Sequence, residues 1–191
     1  MDNQKYNDLW LISHSPRRIQ LLQDLGFVFQ TGEAHVEEVY PHDLLPEEIP
    51  VYLSKLKADN ADVPLNDDTL IITADTIVWA GGKVLGKPCN EVEACQMLHL
   101  LSGKSHQVIT GVTLRSREKT VSFHEKTDVC FAELNDEVID HYISVYKPFD
   151  KAGAYGIQEW IGMVGVESIN GCYYNVMGLP VHRLFREMQA F

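Results

Sequence analysis

No pair of the four cysteines forms a Cys-x-x-Cys, and the spacings of Cys89, Cys95, Cys130 and Cys172 fit no zinc template. A disulfide scaffold or a zinc ribbon is therefore not expected, and the thiols read as scattered and reduced. Long apolar runs are also missing. Nothing approaches the ~20 residues of a membrane span. The polar start MDNQKYNDLWLIS has no apolar segment of the kind a signal peptide needs. Positive charge is scarce as well. Sixteen Lys and Arg face twenty-seven Asp and Glu, a formal net charge of −11. Binding to nucleic acid or anionic membrane rests on neutralising phosphates, so a chain this acidic is a poor candidate for either. The expectation is a soluble, cytoplasmic protein. It can still take a small phosphate compound where its few cations gather.

The remaining composition is ordinary. Hydrophobic residues make up 45% of 191 and charged residues 23%, enough for a core without metal or disulfide support. Leu9–Ile12 reads as a buried strand. Ser15–Gly26 reads as a helix with Ser15 as cap, Pro16 in its first position, and Ile19, Leu22 and Leu25 on one face. Phe27–Gln30 reads as a strand and Pro46–Asn60 as a helix. Leu70–Ala74 is a near-continuous apolar strand ending at Asp75-Thr76. Ile77–Ala80 continues it, and Gly81-Gly82 turns it back toward Lys83-Val84-Leu85. Glu91–Leu101 is a helix. Gln107–Leu114 and Thr120–Ala132 alternate like paired strands. Asn135–Val145 is a helix capped by Asn135, Gly156–Ile169 is strand-like, and Val181–Met188 is a last helix. Mixing helices and strands throughout makes the chain α/β. The preferred layout is one domain over 1–191, two-lobed, with a cleft.

Five stretches can carry chemistry. Ser13-His14-Ser15-Pro16-Arg17-Arg18 joins a strand to a helix start, where backbone N–H groups and the dipole favour anions. Arg17 and Arg18 add planar forks that match phosphate oxygens. The bland reading, a capped helix with two solvated arginines, is equally open on this motif alone. Asp75 in Thr73-Ala74-Asp75-Thr76 stands at the end of a buried strand, a favoured catalytic place in open α/β sheets. It is equally well read as a turn aspartate bonding its local backbone. Gly81 to Pro88 nearly fits GxxxxGK followed by Ser or Thr, but Pro88 has no hydroxyl and no helix opens there, so this is not a P-loop. Lys87 remains a candidate phosphate contact. Glu37-Glu38, with Lys57 further on, suggests a hard divalent cation bridging carboxylates to phosphates, or else a solvated acidic loop. His35 and His42 read as surface residues. Asp150–Gln158 is dense in small residues, which suggests close backbone approach. Gln158 offers a donor and an acceptor that could read a base edge. Together these point to phosphate chemistry on a small molecule.

The same residues resemble the Maf (septum-formation inhibitor) family. Ser13-x-Ser15-Pro16-Arg17-Arg18 with Leu21-Leu22 and Leu25-Gly26 is similar to its opening motif. Ala74-Asp75-Thr76-Ile77-Val78 and Leu85-Gly86-Lys87-Pro88 are similar to its central block. Leu101-Ser102-Gly103, His106-x-Val108-x-Thr110-Gly111-Val112, Asp150–Gln158 and Asn175-Val176-x-Gly178-Leu179-Pro180 continue it, so that the likeness runs from Leu9 to Leu184. The resemblance implies an elongated, two-lobed, Maf- and ITPase-like body with a mixed twisted sheet, flanking helices and a central cleft, often dimeric. It implies a nucleoside triphosphate pyrophosphatase using Mg²⁺ or Mn²⁺. Asp75 falls on the general base and, with Glu38, on the metal. Ser13, Arg17, Arg18, Lys57 and Lys87 fall on substrate-handling positions, and Arg17, Thr76 and Gln158 on base-selecting ones. Arg17 and the Tyr-Gly-Ile-Gln form at Gln158 resemble the branch acting on dTTP and UTP, not the 7-methyl-GTP branch. His14 fills a slot more often small, and Lys55-Leu56-Lys57-Ala58 is a less typical form of the family's helix. A nucleotide-sensing module without turnover and a purine-directed enzyme are the competing readings.

Overall fold

The structure, a computed structural model, describes residues 8–191. The chain is α/β, with a mixed seven-stranded sheet flanked by helices. In chain order the elements are β1 (Asp8–Ile12), α1 (Pro16–Asp24), β2 (Gln30–Gly32), α2 (Glu48–Asp59), β3 (Thr69–Ala80), β4 (Lys83–Leu85), α3 (Glu91–Leu101), β5 (Ser105–Arg115), β6 (Thr120–Phe131), α4 (Asp136–Tyr146), α5 (Trp160–Gly165), β7 (Val166–Asn170), α6 (Tyr173–Met177) and α7 (Val181–Ala190). The strand order is β2-β1-β3-β5-β6-β7, with β4 on β3. β1 is parallel to β2 and β3, while the β3/β4 and β6/β7 pairs are antiparallel.

The chain forms two compact units. The first comprises the residues up to Asp75, Thr110–Glu125 and Gly178–Phe191; the second comprises Thr76–Ile109 and Lys126–Met177. Strands β3, β5 and β6 each run from one unit into the other.

In the first unit, Leu9, Leu11, Leu70, Ile72, Leu22 and Leu53 are buried. The near-continuous apolar character of β1 and β3 is what a strand covered on both faces requires. Helix α2 lies tight on β5, because a Cβ at Gly111 would fall 2.2 Å from the Pro50 carbonyl carbon. A glycine inside an otherwise apolar strand often marks such a close backbone approach.

In the second unit the core gathers Val78, Leu98, Leu101, Phe131, Ile139 and Tyr142. Gly81 and Gly82 both have positive φ (58° and 77°), as a two-residue hairpin of the favoured hand needs. The Asn135 side chain accepts the Val138 N–H at 2.9 Å and caps α4 as expected.

Several expectations are corrected. Gly156–Ile169 is not a strand: it is a turn, then α5, and only Val166–Asn170 pairs with β6. Its β-branched and aromatic residues mimic a strand, but a Cβ at Gly162 would fall 1.8 Å from the Ile157 carbonyl oxygen, so the chain coils back on itself there. The strand expected at Phe27–Gln30 forms instead at Gln30–Gly32, and Tyr173–Met177 adds a short helix, α6, that no sequence signal marks. Ser15 occupies the cap position of α1 without a side-chain capping bond. On α1, Leu21 and Leu22 are the buried pair, while Ile19 and Leu25 are half-buried. Among the described residues no helix is long and apolar enough to cross a membrane. The four cysteines are unpaired.

Candidate active site

The first unit holds six of the expected residues: Ser13, Arg17, Arg18, Glu38, Lys57 and Asp75. Asp75 lies on β3 and is buried, at 7% exposure. A carboxylate there needs a partner, since an unpaired buried charge is costly. Lys57 of α2 is that partner: its Nζ donates to Asp75 Oδ1 at 2.6 Å. The same Nζ stands 2.6 Å from Glu38 Oε1. Two carboxylates that are far apart in sequence thus converge on one cation.

The pairing is set by register. Thr73 and Asp75, two residues apart, project from the same face of β3. Thr73 Oγ1 donates to the Ser54 carbonyl at 2.6 Å. Lys57 follows Ser54 by three residues, about one turn along α2. Ser54 Oγ also lies 2.9 Å from Thr113 Oγ1 of β5. These hydroxyls pin α2 to the sheet and so deliver Lys57 to Asp75. Thr73, Ser54 and Gly111 were given no role from sequence. The signal available was the glycine within the alternating run of β5.

The loop from β1 into α1 is folded by Ser13, whose Oγ accepts the Ser15 N–H at 3.2 Å. Helix α1 begins with Pro16 and brings Arg17 and Arg18 into its first turn, both half-buried. Arg18 Nε donates to the Gly178 carbonyl at 2.8 Å. Burial pushes the Arg18 guanidinium below its ordinary pKa, Asp75 and Glu38 pull it back up, and Arg17 adds to the lowering. Arg18 therefore sits within the field of both carboxylates and of a second cation. Asp75, expected at a strand end, stands in mid-strand on β3, and two cations in the first turn of α1 lie within its field, an arrangement suited to an anion of high charge. His14 is exposed and stands 3.6 Å from Glu33. His35 is exposed beside Glu33 at 3.5 Å, and His42 is exposed.

Glu38 and Asp75 offer hard oxygen ligands that already converge on a positive charge. Among the described residues, no group of three or more His, Cys, Asp or Glu is arranged to hold a metal. Two carboxylates suit Mg²⁺ or Mn²⁺ completed by phosphate oxygens and water, and do not suit an all-protein cage.

The second unit holds Thr76, Lys87 and Gln158. Thr76 is half-buried and follows Asp75 on β3. Lys87 is exposed in the loop after β4. The Gly86 carbonyl beside it accepts the Gly153 N–H at 3.0 Å. Gly153 has φ 69°, and a Cβ there would fall 2.9 Å from Val78 of β3. One glycine thereby ties together the three segments that carry Thr76, Lys87 and Gln158. Gln158 is exposed within a turn closed by the Glu159 N–H donating to the Gly156 carbonyl at 3.0 Å.

Known proteins share this chain's sequence over its length. The family model described as Maf-like protein matches residues 8–191. A protein of Parabacteroides distasonis is 50% identical over 192 residues, covering all of both chains. One of Phocaeicola vulgatus is 54% identical over 190 residues, covering 99% of this chain and 98% of its own. One of Porphyromonas gingivalis is 47% identical over 194 residues, covering 100% of this chain and 98% of its own. All three bear the name dTTP/UTP pyrophosphatase. Matched along 8–191 by the family model and along its full length by such relatives, the chain belongs to the Maf family.

Proposed function

We propose that this protein hydrolyses dTTP and UTP to the nucleoside monophosphate and pyrophosphate. The observation that carries the proposal is Asp75, a buried carboxylate in the middle of β3, bound to Lys57 beside Glu38 and the arginines of α1. The relatives' shared name supports the choice of nucleotide.

Arg17, Arg18, Lys57, Lys87 and Ser13 bind the triphosphate. As phosphate oxygens arrive, they compete for the Lys57 ammonium and loosen its hold on Asp75. Asp75 then accepts a proton from a water molecule. The water oxygen forms a bond to the α-phosphorus, and the bridging bond between the α- and β-phosphates breaks. The electron pair leaves with pyrophosphate, whose charge the arginines and lysines offset. Glu38 and Asp75 would hold Mg²⁺ or Mn²⁺, which would neutralise part of the phosphate charge. Arg17, Thr76 and Gln158 select the base. The partner is thus a small nucleotide and not a nucleic acid or membrane, the place of action is the cytoplasm, and a homodimer is the assembly proposed.

The test is pyrophosphate release from dTTP, UTP, CTP, GTP, 7-methyl-GTP and ITP with Mg²⁺ or Mn²⁺. Release chiefly from dTTP and UTP is expected. Release chiefly from 7-methyl-GTP or ITP would overturn the base selection. Nucleotide binding without turnover would make the protein a sensor.

A further inference from the structure

The turn that carries Gln158 is held at both ends by one tyrosine. Tyr142 of α4 is fully buried. Its hydroxyl accepts the Gly156 N–H at 3.1 Å and donates to Glu159 Oε2 at 2.5 Å. Gly156 and Glu159 are the first and last residues of the turn closed at 3.0 Å between them. A second hold comes from Lys151, itself buried. Its Nζ lies 3.0 Å from Glu159 Oε1 and 2.6 Å from Asp150 Oδ1. The space is filled: a Cβ at Gly156 would fall 3.0 Å from both Glu159 Cδ and Lys151 Cε. Ile157 is buried, and Gln158 alone of the four residues is exposed. Burial, then Glu159, push the Tyr142 phenol well above its usual pKa, so it remains a donor.

A buried ionic cluster is seldom the cheapest way to stabilise a fold, and its better-attested use is to fix geometry. The geometry matters here because of what an amide can read. Gln158 carries one donor group and one acceptor. Uracil and thymine present an N3–H donor and an O4 acceptor. Cytosine presents the reverse. A glutamine free to approach from several directions pairs with either. A turn held at both ends fixes the distance and angle from which Gln158 meets the base, on which a two-point contact with the uracil-type edge depends.

We propose that Tyr142, with Glu159 and Lys151, is a positioning residue for Gln158 and sets discrimination between uracil- or thymine-type and cytosine-type nucleotides. This rests on the proposed pyrophosphatase function and on Gln158 as base selector.

The experiment compares kcat/KM for UTP and CTP in the wild type, Tyr142→Phe, Gln158→Ala and the double variant. Tyr142→Phe should lower the UTP-over-CTP ratio about tenfold, with KM for UTP rising more than kcat falls. Adding Tyr142→Phe to Gln158→Ala should change the ratio less than about twofold, because the phenol acts through the glutamine. Glu159→Gln, which keeps an oxygen for the phenol, should retain most of the selectivity. If Gln158→Ala lowers selectivity while Tyr142→Phe leaves it intact, the positioning role is wrong and base selection stands. If Gln158→Ala leaves selectivity intact, base selection fails and the role of Tyr142 goes with it. Should Tyr142→Phe not fold, Glu159→Ala carries the same expectation. Hydrogen exchange at the Gly156 amide of Tyr142→Phe, without nucleotide, should quicken about tenfold, because the phenol oxygen that accepts this N–H is gone. Unchanged exchange would overturn the clamp itself.

Discussion

Lys57 Nζ stands 2.6 Å from Asp75 Oδ1, and the two residues are delivered to each other by a hydroxyl ladder one helical turn away. The lysine side chain is 16% exposed and that of Asp75 10%, whereas Glu38, the lysine's other partner, is 52% exposed. Removing the lysine strands a buried carboxylate. Removing Glu38 removes a solvated one. Lys57→Met should therefore cost about 1–3 kcal/mol of unfolding free energy. Glu38→Gln should cost less than about 1 kcal/mol. Urea titration of the two variants checks the order, and equal costs would show that Asp75 does not depend on Lys57.

The approach of α2 to the sheet depends on Gly111. An added Cβ would meet the Pro50 carbonyl carbon at 2.2 Å, and backbone cannot yield as a side chain can. Gly111→Ala should destabilise the protein by about 1–3 kcal/mol and lower kcat, since shifting α2 moves Lys57 away from Asp75. Gly82→Ala is the control, because a Cβ at Gly82 meets nothing within 4 Å and the strain of its φ of 77° lies in the hairpin turn. That variant should lose stability but keep its turnover. Circular dichroism melts and steady-state rates distinguish the two.

His106 is buried in the second unit, with Nε2 2.7 Å from Tyr155 Oη and its ring edge-on to Phe131. Burial lowers its pKa from 6.5 to about 4. The unfolded chain therefore takes up a proton near pH 6.5 that the folded chain refuses until about pH 4. The contribution to stability is fully present above pH 6.5 and is lost as the pH falls toward 4. The loss should reach about 3 kcal/mol across that window. Comparing wild type with His106→Gln isolates it from the carboxylates, and parallel stability curves for the two would contradict it.

The sequence makes much of this architecture legible, for definite reasons. The apolar run Leu70–Ala74 marks β3, although the strand continues through Asp75 to Ala80 and does not end there. Gly81-Gly82 turns as its dihedral freedom allows, and Asn135 caps α4 through its own side chain. Each of these signals is local. What escaped was decided at a distance. Trp160, Ile161 and Val164 look like strand residues, yet the chain coils at Gly162 because the Ile157 carbonyl lies against it. Ser15 has a capping residue's identity but not its bond. Lys57, Glu38 and Asp75 were each picked out from sequence, but their convergence on a single ammonium depends on Gly111, Ser54 and Thr73, which lie on three different elements. The Tyr142 clamp joins residues 14 and 17 positions apart, and no periodicity points to it.

The central claim is hydrolysis at the α-phosphorus with Asp75 as base, and turnover of UTP in ¹⁸O-labelled water tests it most directly. The expected result is label in UMP, none in pyrophosphate, and a rate for Asp75→Asn at least ~100-fold below wild type. Label in pyrophosphate or inorganic phosphate, or near wild-type turnover by Asp75→Asn, would contradict it.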